Sequence, residues 1–227
     1  MIQKFGKIGE ELREGLKEAG FFISLALRAF KFWRKDPPIL NVVDLTRFAD
    51  TRAKFATQTT LFGYIKTRAG TRYTVLFTDE EYARSINIAK WEIYLASLSD
   101  ISVFVSATIG ARSNASNDEM ASLALHVFNN VLDNEEIPKE RPQGFDDVRE
   151  PFSARVKTTS WDECAAGESA FYPSLAALVE WAPIADELKA LDEEIVRNSM
   201  RFKWKKVRDD LDQLLDADAV MADWRNK

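Results

Sequence analysis

Cysteine and histidine are nearly absent from this chain, with one of each, Cys164 and His126, among 227 residues. A lone cysteine forms no internal disulfide, and one histidine offers little to a metal, so a disulfide scaffold and structural zinc are both excluded. The sequence calls for no cofactor. Glycine and proline are also sparse, at nine and seven, so long stretches run without a breaker. Net basic charge is missing too. The formal charge is −5, which argues against general nucleic-acid binding, because phosphate neutralisation needs a basic surface. No uninterrupted apolar run reaches the ~20 residues of a spanning helix. The nearest, Gly20 to Trp33, is broken by Arg28 and Lys31. The start carries glutamates in place of an apolar leader core, which predicts no secretory signal.

What is present is helical patterning. Residues 2 to 35 carry apolar side chains at steps of three and four, from Phe5 through Ile23 to Trp33. Four glycines fall in the first twenty positions, which makes the early part a weak autonomous helix. The pattern predicts an amphipathic N-terminal arm over 1–35 that needs a surface to lie on. Its candidate partner-binding residues are Phe21, Phe22, Arg28, Phe30, Lys31, Trp33 and Arg34, an aromatic face ending in cations suited to a protein or an anionic membrane. The other reading makes residues 20–33 a core helix.

Residues 40–227 read as one helical domain. A helix is expected from Val42 or Asp44 to about Arg68, with Gly70 as a left-handed exit. Thr78 to Glu81 has capping-box spacing, and the helix it opens is expected to end at Gly110. A second box, Ser116 to Glu119, opens a helix through Leu132. Between 133 and 166 the helical signal stops at several prolines, leaving a long irregular loop with a short strand over Phe152 to Thr158. Pro173 and Pro183 each mark a helix start. The last helix, Ile184 to about Trp224, carries an apolar stripe through Leu188, Leu191, Ile195, Met200, Trp204, Val207, Leu211 and Leu214. The fold class is all-α, a bundle of five to seven helices.

Several places invite a functional reading. Between Thr51 and Thr78 lie five cations and no acid. Within that stretch Lys66, Arg68, Thr71, Arg72 and Tyr73 form a basic turn able to grip a carboxylate or phosphate, since the arginine fork suits oxyanions. The alternative is that these cations answer the helix carbonyl ends and pair with Asp79, Glu80 and Glu81. In the long helix, Lys90, Glu92 and Asp100 must pair, reach solvent or face a cavity. A line of small or polar residues there (Ser85, Ala89, Glu92, Ala96, Ser99, Ser102, Ser106) suits close helix approach, or a polar slot. A basic belt from Arg197 to Arg208, interleaved with Phe202 and Trp204, reads as a self-paired solvated face through Glu193–Arg197, Lys205–Asp209, Lys206–Asp210 and Arg208–Asp212. Gly167 to Ala170 echoes an esterase serine turn, but Phe171 replaces its closing glycine and no apolar strand precedes it.

The segments Gln58–Arg68, Gly70–Tyr73 and Ile86–Trp91 resemble a group of alphaproteobacterial helical proteins without an established function, some of which carry an esterase label. The resemblance is confined to those segments and brings no catalytic residues. It implies a bacterial cytoplasm. The function expected from the whole reading is a non-catalytic adaptor or scaffold that binds a protein partner, a second copy of itself or the anionic inner face of the membrane. The alternatives are a small anionic-ligand protein or enzyme using 66–73 and, further off, a serine hydrolase.

Overall fold

Among the described residues every helix packs on or near one central rod, the long apolar helix that the sequence places in the middle. The computed structural model describes residues 37–167 and 169–227, and Pro38–Lys227 form one compact unit. In chain order the helices are α1 (Val42–Ala69), α2 (Tyr73–Leu76), α3 (Glu80–Ser113), α4 (Asn117–Asp133), α5 (Asp146–Lys157), α6 (Trp161–Ala165), α7 (Tyr172–Trp181), α8 (Asp186–Leu214) and α9 (Ala217–Arg225). Short 3₁₀ turns at Gly70–Arg72 and Ser169–Phe171 join them. Leaving aside the short α2 and α6, seven helices of 9 residues or more stand among the described residues, an all-α bundle as expected. The expected arm and its candidate residues Phe21, Phe22, Arg28, Phe30, Lys31, Trp33 and Arg34 lie outside the described residues.

The rod is α3. Its residues Asp100 to Gly110 are all buried, because apolar and small side chains occupy its whole circumference there. By length and composition α3 would cross a membrane, yet 89% of its most apolar window is covered by the rest of the protein. Helices α1, α4, α7 and α9 pack against it, and α8 packs on α1 and α7.

Helix ends follow local chemistry. Asn41 caps α1 through its side chain to the Asp44 amide, and Gly70 leaves α1 at φ 53°. Ser116 and Glu119 form the expected reciprocal box. The box expected at Thr78 does not form, and a simple cap one residue on, at Asp79, opens the helix instead. Asp79 accepts from the Tyr82 amide at 2.9 Å, while the Thr78 hydroxyl turns back to the Val75 carbonyl.

Three further expectations are corrected. Gly110 does not stop α3, which continues to Ser113 and exits through left-handed Asn114. Gly110 is needed instead for close packing, since a Cβ there would sit 1.9 Å from the Met120 sulfur of α4. The strand expected over 152–158 is helix α5, with Pro151 inside it. Val148, Phe152 and Val156 repeat every four residues and turn to the core, and Phe152 stacks on Phe128 at 4.0 Å. That burial offsets the hydrogen bond lost at the proline. The irregular loop therefore shrinks chiefly to the segment between Asn134 and Phe145. Finally, the last helix is two. Ile39 pairs with the chain at Leu215, taking the Leu214 carbonyl at 2.8 Å and the Asp216 amide at 3.1 Å, and Asp216 then caps α9.

Candidate interaction surface

The basic turn stands at the tip of the α1–α3 hairpin. Arg68, itself exposed, forms a two-pronged pair with Asp192 of α8, and the Tyr64 hydroxyl donates to the same carboxylate at 3.0 Å. Hydrogen bonding to Arg68 holds the Asp192 carboxyl below its ordinary range. Burial and the Asp192 bond push the Tyr64 phenol up to about 12. Lys66, Thr71 and Arg72 are exposed and Tyr73 is half-buried against Phe77. Neither Lys66 nor Arg72 has an ion-pair partner among the described residues, and Asp79, Glu80 and Glu81 do not reach them. Within the turn, then, the ion pair made is that of Arg68 with Asp192. All three cations of the turn are exposed, and Arg68 alone of them fastens the hairpin to α8 through an ion pair among the described residues.

The charges of the central rod find partners that sequence spacing did not reveal. Glu92 pairs with Arg141, which is 4% exposed and also holds Asp147 at 2.6 Å. Asp100 is fully buried, accepts from Arg155 at 2.8 Å and from the Ser174 amide at 2.8 Å. Trp204 of α8 completes that network by donating to the Ser174 hydroxyl at 2.9 Å. Lys90 lies over the Trp91 ring. Arg68, Lys90 and Asp100 thus have separate partners and share no cavity.

Helix α8 carries the least expected feature. Its inner face, Val196, Met200, Trp204, Val207 and Leu211, is 4% exposed or less. A second line, Leu188, Leu191, Ile195 and Phe202, is exposed by 38%, 77%, 72% and 72%. The sequence reading joined these into one stripe. The step from Ile195 to Met200 is five residues, however, and five residues turn an α-helix about 140° past a full circle. Two separate apolar faces result, and the outer one is not covered by any of the described residues. The belt beside it is largely self-paired: Arg197 binds Glu193, Lys205 binds Asp209 and Lys206 binds Asp210. The expected Arg208–Asp212 pair is not made, because Asp212 takes Arg112 of α3.

A shallow groove of about 940 Å³ runs beside α1 and α4, with Asp50, Lys54, Trp91, His126 and Glu135 in its lining. Its charges answer each other. Lys54 bridges Asp50 at 3.0 Å and Glu135, and the Tyr94 hydroxyl donates to Asp50 at 2.6 Å. Burial pulls the Lys54 ammonium down, but the two carboxylates outweigh it and raise it overall. Burial lowers the His126 imidazole, which packs on Trp224 at 5.1 Å. The Ser169 hydroxyl meets the Cys164 sulfur at 3.7 Å, not an imidazole, and burial raises the Cys164 thiol. No nucleophile–base pair is built there. No cluster of metal-ligating side chains occurs among the described residues. Compared with protein-family models, with curated proteins and with solved structures, the chain matches none.

Proposed function

We propose that the chain is a non-catalytic adaptor or scaffold of the bacterial cytoplasm that docks a protein partner on the outer face of α8. One observation carries the reading: a 29-residue helix whose inner face is already buried presents a second, uncovered apolar line. Exposed apolar residues scattered singly are ordinary, but four aligned on one helix face form the pattern by which helices recognise partners. Charge favours a protein over an anionic membrane. Glu187 and Glu194 flank the first half of the apolar line and Arg201 the second, a mixture of signs that suits a protein surface better than uniformly acidic head groups. The ligand-binding alternative would use Lys66 and Arg72, which are exposed and unpaired among the described residues. It draws nothing from Lys90 and Asp100, whose partners lie elsewhere.

The test is the elution of tagged full-length protein in native extract, before and after Leu191→Ser with Ile195→Ser. Both side chains are solvent-exposed, so the pair should shift stability by less than about 1 kcal/mol. The wild type should elute above monomer mass and the double variant at it. Identical elution of the two would remove the adaptor reading.

A further inference from the structure

Resting on that reading, we infer that the occupant of the outer face of α8 is a second copy of the same helix, laid antiparallel across it. The apolar line has coiled-coil spacing. Leu188, Leu191, Ile195, Asn198 and Phe202 follow one another at steps of three, four, three and four, and all are exposed. Such a line is a seam two residues wide per seven, suited to one partner helix. From Leu188 to Phe202 it extends about 21 Å at 1.5 Å per residue.

Charge selects the partner and its direction. Residues 186–194 carry five carboxylates and one lysine, whereas 197–208 carry six cations and no carboxylate. A parallel copy would set acid against acid and base against base. An antiparallel copy sets each half against its opposite. Most of these charges are already satisfied within the protein. Asp192 holds Arg68, Glu193 holds Arg197, and Asp186 lies 3.5 Å from Lys189. Lys205 and Lys206 hold Asp209 and Asp210. Glu187, Glu194, Lys203 and Arg208 have no ion pair among the described residues, and Arg201 has only the Asn198 side chain, at 2.8 Å.

Glu187, Glu194 and Arg201 are seven residues apart and border the same side of the seam. The antiparallel register that faces Leu191 with Phe202 of the other copy also faces Ile195 with Asn198. In that register Glu194 of each copy meets Arg201 of the other, twice by symmetry. Glu194 and Arg201, each without an ion pair within its own chain among the described residues, become each other's partners across the seam. Asn198 in the seam costs stability and pins the register, as a polar residue at such a position does. With so few apolar layers the pairing is weak and reversible, which suits an assembly that forms with rising local concentration.

The experiment is sedimentation equilibrium of the purified full-length chain up to about 100 μM, a range in which a small interface gives measurable association. The wild type should move from monomer to dimer mass. Glu194→Arg alone and Arg201→Glu alone each place like charges together and should weaken association at least about tenfold. Mixing the two variants should restore a heterodimer, because each then supplies what the other lacks, and the double charge swap in one chain should restore the homodimer. Circular dichroism should be unchanged throughout, since all these side chains are exposed. A wild type that stays monomeric overturns the inference, whether the face is covered by residues 1–36, by a membrane or by an unrelated protein. Association that ignores both charge changes overturns it equally. If the wild type is monomeric when pure but elutes large in native extract, the adaptor reading stands and only the identity of the partner falls.

Discussion

At the residue scale the chain shows which demands a sequence states and which answers it hides. The charges Glu92 and Asp100 sit within an apolar helix, so their need for partners is legible from the sequence alone. Their partners, Arg141 and Arg155, come from a stretch whose prolines masked its helices. Asp100 yields a pH prediction. Burial pushes its carboxyl up to about 6 from 3.8, against the pull of Arg155 and the Ser174 amide. A carboxyl that holds its proton more tightly when folded stabilises the fold fully below 3.8 and loses that contribution as pH rises through about 6. Asp100→Asn has no proton to lose, so its stability relative to wild type should improve by up to about 3 kcal/mol between about pH 4 and pH 7.5. Urea unfolding of both proteins at the two pH values checks this, and a constant difference would refute the assignment. Ser102 and Ser106 give a second prediction. Both hydroxyls are buried without a hydrogen-bond partner among the described residues, so these residues serve the packing by their small size. Ser102→Ala and Ser106→Ala should each stabilise the protein by about 1 kcal/mol, since alanine removes an unsatisfied hydroxyl and favours helix.

Among the elements, the start of each long helix was more legible than its end. Capping chemistry is local, and the Ser116–Glu119 box is reproduced as read. Glycine is ambiguous because it serves both exits and close contacts. Gly70 ends α1, whereas Gly110 lies inside α3 under Met120. Gly110→Ala should therefore destabilise by about 1–3 kcal/mol through overpacking, even though alanine is the better helix former. Chemical denaturation checks it, and a gain in stability would show that Met120 yields without cost. Helix α8 illustrates the same limit. Its apolar residues were all visible, but whether they form one face or two depends on the five-residue step at Ile195, and periodicity read by eye passes over that step. Which face stays bare depends on α1 and α7, and the chain order does not announce their arrangement.

For the whole molecule, the bundle followed from the near absence of alternating apolar patterns and from long stretches without breakers. The proposed interaction surface did not. The cations of the basic turn drew the eye, yet Arg68 is used to join the hairpin tip to α8. The uncovered surface lies on the neighbouring helix, beside that very pair. The central claim is that the outer face of α8 contacts another protein in the cell. Site-specific photo-crosslinking tests it most directly, with a photoreactive residue at Ile195 and a control at Asp118, which is exposed at the start of α4. The account predicts discrete higher-mass adducts from position 195 and none from position 118. Equal labelling at both, or no adduct from 195, would contradict it.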